Sequence, residues 1–128
     1  VESEIGQADK AIARLRTLHE NYPGNYPVIM ALAKILSSAN YPAEASSLLL
    51  QASRTFPSDL PVCHALARAQ ANHQLKAYAY FTYAQCHLLQ GQKKEARRLF
   101  KLAKTLIKKD RFLQARIDAK LDEIKAYK

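Results

Sequence analysis

The chain has 128 residues, a length that can bury a hydrophobic core without the support of a disulfide or a metal ion. Ala, Leu, Lys and Gln predominate, only three residues are Gly, and no segment alternates β-branched with polar residues, which excludes a protein built mainly of strands. No apolar run approaches the roughly 18 residues needed to cross a bilayer, and the net charge of +9 belongs to the C-terminal end, because residues 92–128 hold thirteen Lys and Arg against five acids.

The chain starts with an acidic run, Val1-Glu2-Ser3-Glu4, where a secretion signal would be basic and then apolar. Because it starts with Val rather than Met, we expect residues 1–128 to form a single repeat domain at the C-terminal end of a larger protein. The first predicted helix has an apolar face that we expect to pack on something upstream. That face consists of Ile5, Ile12, Leu15 and Leu18.

The next segments repeat at an offset of 34 residues. The matching pairs are Tyr22-Pro23 with Phe56-Pro57, Pro27-Val28 with Pro61-Val62, and Ala31-Leu32-Ala33-Lys34 with Ala65-Leu66-Ala67-Arg68. This period is typical of the helix-turn-helix unit of tetratricopeptide repeats. A unit from Tyr26 to Pro57 places its packing residues at Leu32, Ala33, Leu36, Ala45, Leu49 and Ala52.

A second unit starts at Ala77 and is out of phase with the first by one helix. Its packing positions are Ala84, Gly91, Ala96, Phe100 and Ala103. With the Pro and Gly breakers, the pattern predicts helices near 3–21, 26–39, 42–56, 59–73, 75–90, 92–108 and 110–126. The predicted fold is therefore all-α, with tetratricopeptide-like antiparallel hairpins stacked into a right-handed superhelix and 110–126 as a capping helix.

Three runs in the second half of the chain are distinctive. They are Tyr78-Ala79-Tyr80-Phe81-Thr82-Tyr83-Ala84, Leu89-Gln90-Gly91-Gln92 and Leu113-Gln114-Ala115-Arg116-Ile117-Asp118-Ala119. The segment from Leu66 to Lys125 that contains them resembles the C-terminal repeat domain of the β-barrel assembly-enhancing proteases, bacterial envelope proteins with an N-terminal zinc metallopeptidase. The resemblance implies a periplasmic domain that recruits or positions outer-membrane β-barrel precursors, or their assembly machinery, for that peptidase.

The catalytic signature of those proteases, H-E-x-x-H on a helix, is missing from this chain. His19-Glu20 is the single His-Glu pair, and Pro23 stands where the second His would be required. No Gly-rich phosphate loop and no Ser-His-acid signature occurs. We expect no catalytic, cofactor-binding or metal-binding residue here, and assign the zinc to the peptidase part of the parent protein.

The first helix of each hairpin lines the concave side of such repeats, which predicts a groove for a protein ligand. The predicted groove residues are Met30, Lys34, Ser37, His64, Arg68, Asn72, Tyr78, Phe81 and Gln85. Lys34 and Arg68 would stack in register and, with the aromatic rings, hold an extended peptide. The alternative is that the rings pack between helices and the cations are solvated.

The sixth predicted helix is amphipathic and strongly basic. Its basic face consists of Lys93, Lys94, Arg97, Arg98, Lys101, Lys104 and Lys108, followed by Lys109. Anionic lipid, an acidic partner or the attached peptidase domain would fit this face, while the alternative is an ordinary solvated helix surface. Nucleic acid is disfavoured because no aromatic residue interleaves the cations.

The two cysteines precede histidines, in Cys63-His64 and Cys86-His87. Adjacent helical residues point about 100° apart, so we expect buried thiols and ordinary histidines rather than a metal site. Their helices are predicted to be antiparallel neighbours, and a disulfide is conceivable in an oxidising periplasm.

Two other functions stay open. The domain could be an adaptor of a secretion, pilus-assembly or cytoplasmic complex with no peptidase attached. An RNA- or membrane-binding basic module is the third hypothesis, and a steep salt dependence of its affinity would reveal it.

Overall fold

The computed structural model describes residues 2–107 and 109–126, and the side chains of 6–107 and 109–125. This part of the chain forms seven α-helices and no strand. The helices are α1 (Glu2–Asn21), α2 (Tyr26–Ser38), α3 (Pro42–Thr55), α4 (Leu60–Asn72), α5 (Lys76–Leu89), α6 (Lys93–Thr105) and α7 (Arg111–Ala126). The all-α repeat prediction is confirmed.

Helices α2, α4 and α7 each begin at a polar side chain that caps the first turn. A backbone amide three residues further on donates to a side-chain oxygen of Asn25 (3.1 Å), Asp59 (3.0 Å) and Asp110 (2.9 Å). Each cap satisfies an amide that has no partner inside the helix. Pro27 and Pro61 occupy the first turns of α2 and α4, where a missing N–H removes no hydrogen bond.

Helices α2, α4 and α5 end instead in tight turns built around a residue with positive φ. These residues are Asn40 (φ 66°), Gln74 (φ 61°) and Gly91 (φ 76°). In each turn the next amide donates to a carbonyl five residues back, at 2.8 Å, 2.8 Å and 2.9 Å respectively. This Schellman arrangement reverses the chain within a few residues, so the helices on either side run antiparallel.

The positions of these turns explain the change of phase in the repeat. Asn40 and Gln74 are 34 residues apart (74 − 40), but Gly91 follows only 17 residues later (91 − 74). Half a repeat has been left out, so α5 closes a hairpin with α4 and also opens the next hairpin with α6. The structure confirms the predicted offset of one helix.

The core consists of two clusters of buried side chains. The first lies among α1 to α4 and includes Ile12, Leu36 and Leu49, while the second lies among α5 to α7 and includes Phe100 and Ile117. The predicted packing residues are buried in both except Gly91, which is exposed because it forms the turn after α5. Alanines at 33, 45, 84, 96 and 103 let neighbouring helices approach closely. Each helix packs on the next one in the chain.

Two sets of expectations need correction: the helix ends and the apolar face of the first helix. Most predicted helices were one residue too long at an end, because the prediction counted the capping residue as helical. Helix α6 stops at Thr105 rather than near 108, because the chain must turn before Asp110 caps α7. Ile12 and Leu15 were expected to pack on an upstream segment, but they pack in the first core cluster. Leu18 is exposed, and the side chain of Ile5 lies outside the described residues. None of the described helices combines the length and hydropathy needed to cross a membrane.

Candidate functional site

The nine predicted groove residues do not form one surface. Met30, His64 and Arg68 line a shallow depression of about 490 Å³ together with Tyr83. Lys34, Ser37 and Asn72 are exposed but lie outside that lining. Tyr78, Phe81 and Gln85 line a different cavity of about 480 Å³.

The split follows from helix geometry. On α4, Arg68 belongs to the depression whereas Leu66 and Gln70 belong to the other cavity, and residues two apart on a helix point about 200° apart. On α5, Tyr83 and Phe81 are separated in the same way. The assumption that α5 continues the inner face of α2 and α4 was therefore wrong, because the half-repeat step turns α5 over.

Phe81 also needs correction as a groove residue. Its side chain is only 2% exposed and packs edge-to-face on Phe100, with ring centroids 5.4 Å apart. The guanidinium of Arg116 covers the ring at 4.5 Å. Phe81 is a core residue that supports Arg116, rather than a ring face available to a ligand.

A continuous cleft runs along the other side of the molecule. One chamber of about 480 Å³ and a second of about 370 Å³ share six lining residues: Ser53, Arg54, Leu66, Thr82, Gln85 and Arg116. Buried residues of α4 and α5 form its floor, and exposed residues of α3 and α7 form its rims. Because consecutive helices are antiparallel, α3, α5 and α7 run in one direction along this cleft, which we call the central cleft.

Exposed apolar side chains concentrate at both ends of the central cleft. Leu50, Leu75 and Phe112 line the first chamber and are 40%, 37% and 73% exposed. Leu89, which is 43% exposed, lines the second chamber with the half-buried Phe56 and Leu88. Large apolar side chains left in water inside a concave surface mark a binding site more often than isolated ones do.

Two guanidinium groups lie between these apolar ends. Arg54 comes from the α3 rim and Arg116 from the α7 rim, and neither forms a salt bridge within the described part of the chain. The first chamber has no carboxylate among its lining residues. Asp59 in the second chamber is already engaged, since it caps α4 and accepts a hydrogen bond from the Tyr26 hydroxyl at 2.9 Å. The middle of the central cleft is therefore a positive site.

A hydrogen bond between Tyr78 and Asp110 fixes the α7 rim against α5. Asp110 accepts this bond while it caps α7, and the Tyr78 bond and the cap together hold the pKa of its carboxyl below the ordinary value. The same hydrogen bond, with burial as the smaller cause, raises the pKa of the Tyr78 hydroxyl. Phe112 and Arg116 follow directly on the helix that this contact positions.

The predicted basic face of α6 is partly neutralised. Arg98 pairs with Glu95, and Lys104 pairs with Asp118 at 2.7 Å. The predicted face also includes Lys93, Lys94, Arg97 and Lys101, of which Lys93, Lys94 and Lys101 are exposed and Arg97 is half-buried. Lys108 lies outside the described residues, and Lys109 lies beyond the end of α6. Lys109 is therefore not part of the α6 surface.

Cys63 and Cys86 form a disulfide between α4 and α5, with their Cα atoms 5.7 Å apart. Beneath the cleft the buried Thr82 hydroxyl donates to the side-chain oxygen of Gln70 at 2.5 Å, so the same two helices are also joined by a polar contact. Within residues 2–107 and 109–126, no group of three or more His, Cys, Asp or Glu side chains could hold a metal ion.

Sequence reasoning missed the rim residues Leu50, Arg54 and Phe112, and it named Arg116 within the last of the three distinctive runs but not among the groove residues. One signal was present: Leu50 with Arg54, and Phe112 with Arg116, are each four residues apart and lie off the buried stripes of their helices. Leu50 and Phe112 remain 40% and 73% exposed at these positions.

Comparison with known families gives two matches, both to the tetratricopeptide repeat. One covers residues 4–71 and the other residues 78–109, and the gap between them falls where α4 gives way to α5. No curated protein matches the chain significantly. Repeats of this family bind other proteins and are not catalytic. Because the first match alone covers more than half of its length, the chain belongs to the tetratricopeptide repeat family.

Proposed function

We propose that the chain is the protein-binding domain of an envelope H-E-x-x-H zinc metallopeptidase. In this role it recruits or positions outer-membrane β-barrel precursors, or the machinery that assembles them, through the central cleft. The peptidase chemistry and its zinc belong to another part of the parent protein. The observation that carries the proposal is a cleft with exposed apolar side chains and two guanidinium groups that form no salt bridge among the described residues. Such a cleft suits an unfolded polypeptide better than a small ligand.

Two further observations support this proposal. The sequence runs that resemble the β-barrel assembly-enhancing proteases supply parts of the cleft, since Tyr78 lies in the first run and Arg116 in the last. The disulfide between Cys63 and Cys86 fits the oxidising periplasm, because disulfides persist there and are rare in reducing compartments.

The alternative is an adaptor of a secretion, pilus-assembly or cytoplasmic complex with no peptidase attached. Photocrosslinking in living bacteria separates the two, with a benzoylphenylalanine placed at position 112 on the cleft rim. A matched crosslinker at position 34 serves as the control, because Lys34 is exposed and lies outside the cleft lining.

We expect β-barrel precursors or components of their assembly machinery to crosslink at position 112 and not at position 34. Crosslinks to cytoplasmic or pilus proteins alone would favour the adaptor. Equal crosslinking at both positions would show that the central cleft is not the binding surface.

A further inference from the structure

We propose that the central cleft reads a short sequence pattern: a carboxylate between two large apolar side chains at alternate positions of an extended chain. This inference rests on the proposed function, and it adds the chemistry and spacing of the segment that binds. It follows from the order of side chains along the cleft: Leu50 and Phe112 come first, Arg54 and Arg116 come next, and Leu89 at the end of α5 lines the second chamber, beside Lys120 of the α7 rim.

The rims set the spacing. Leu50 and Arg54 are four residues apart on α3, and Phe112 and Arg116 are four residues apart on α7. Four residues of α-helix rise about 6 Å, while two residues of an extended strand rise about 6.6 Å. Because α3 and α7 run in the same direction, an extended peptide that lies along them advances two residues for each step from an apolar side chain to an arginine.

Alternation then places three side chains on one side of the peptide. The first apolar side chain meets Leu50 and Phe112 at the first chamber, and the carboxylate two residues on meets Arg54 and Arg116. The next apolar side chain, two residues further, meets Leu89 and its neighbours in the second chamber. Side chains of an extended strand point the same way at every second residue, so the intervening residues face solvent and are free to vary.

The charge of the cleft selects a carboxylate at the central position. Arg54 and Arg116 form no salt bridge in the described residues, and the Arg116 guanidinium contacts the ring faces of Phe81, at 4.5 Å, and Phe112, at 5.9 Å. A planar guanidinium held in this way is oriented before the ligand arrives, so little side-chain entropy is lost on binding. A like-charged Lys or Arg at this peptide position would be rejected.

The test uses three synthetic peptides of about nine residues, acetylated and amidated so that no terminal charge contributes. The first has a central Glu with Phe two residues before it and Leu two residues after it, in a Ser and Gly background. The second replaces the Glu by Gln. The third has the composition of the first, but its Phe and Leu are adjacent to the Glu.

Fluorescence anisotropy at low salt should show that the chain binds the first peptide roughly tenfold more tightly than the second or third, because charge-assisted hydrogen bonds are the strong ones. In the double variant Arg54→Gln and Arg116→Gln, the preference for Glu over Gln should disappear. The matched variant Lys34→Gln and Arg68→Gln removes the same charge from the opposite face and should keep the preference. Circular dichroism checks that both variants retain their helicity.

Each other outcome has a defined meaning. Equal binding of the first and second peptides by the unmodified chain, or an equal loss of preference in both double variants, overturns the carboxylate assignment. Equal binding of the first and third overturns the spacing. Binding of none of the three, with β-barrel precursors still crosslinked at position 112, overturns this inference but not the proposed function. Absence of both overturns both.

Discussion

At the scale of single residues, two tyrosine–aspartate pairs fasten neighbouring repeat units together. Tyr26 donates to Asp59, and Tyr78 donates to Asp110, and in both pairs the aspartate also caps a helix. One carboxylate therefore stabilises a helix start and ties that start to a preceding helix. The second pair matters for binding because it positions the α7 rim of the central cleft.

We predict that Tyr78→Phe lowers the melting temperature by several degrees at neutral pH and weakens peptide binding in the central cleft. The hydroxyl bond to Asp110 is lost while the ring stays in place, so α7 is held less firmly. Tyr83→Phe is the matched control, because this ring is on the same helix and makes no hydrogen bond among the described contacts. A similar loss in both variants would contradict the assigned role.

The effect of Tyr78→Phe should also depend on pH. The pKa of Asp110 is lowered in the folded protein, so its ionised form stabilises the fold. This stabilisation is complete above the ordinary carboxyl pKa of about 3.9 and is lost as pH falls through the lower folded value. The pKa of Tyr78 is raised, so its contribution is complete below about 10 and is lost as pH rises through the higher folded value. Melting curves should show the largest difference between the two proteins inside this window; a difference that persists unchanged in strong acid would count against it.

At the scale of the elements, the three Schellman turns control where one helix reverses into the next. Two of them use a residue other than Gly at positive φ, namely Asn40 and Gln74, and the third uses Gly91. Asn tolerates this backbone conformation better than Gln does, because its short side chain can bond locally. The turn between α4 and α5 is therefore the most strained of the three, and it lies where the repeat changes phase.

We predict opposite effects from two substitutions in these turns. Gln74→Gly should stabilise the chain by about 0.5 kcal/mol, because Gly removes the strain of positive φ but loses more entropy on folding. Gly91→Ala should destabilise it by about 1 kcal/mol, although nothing lies within 4 Å of the added Cβ, because the cost comes from backbone conformation alone. Urea denaturation measures the change in the free energy of unfolding for each variant. Two changes of the same sign would show that the backbone conformation of these turns does not limit stability.

At the scale of the whole molecule, the half-repeat step joins two helical arrays through α4 and α5. The first core cluster ends on α4 and the second begins on α5. The Cys63–Cys86 disulfide crosses this junction, and so does the bond from Thr82 to Gln70. These contacts fix the orientation of the two arrays, and the central cleft lies where the arrays meet.

We predict that replacing both cysteines by alanine lowers the free energy of unfolding by about 3 kcal/mol, because the disulfide closes a loop between residues 23 apart in the unfolded chain. Thiol titration of the unreduced chain in denaturant should find no free cysteine, and reduction should release both. Two thiols before reduction would contradict the disulfide and would remove one support for a periplasmic location.

The sequence by itself determined the helical repeat. The 34-residue period, the buried alanines and the Pro, Asn and Asp signals predicted seven helices, six of them within two residues at each end, because these features act through local backbone geometry. Only the tertiary structure decided where the binding surface lies. The half-repeat step turns α5 over, which sends Arg68 and Gln85 to opposite faces and brings Arg54 and Arg116 together from distant parts of the chain. A periodic pattern shows which residues share a helix face, but the face that meets a neighbouring helix depends on how each hairpin stacks on the one before it.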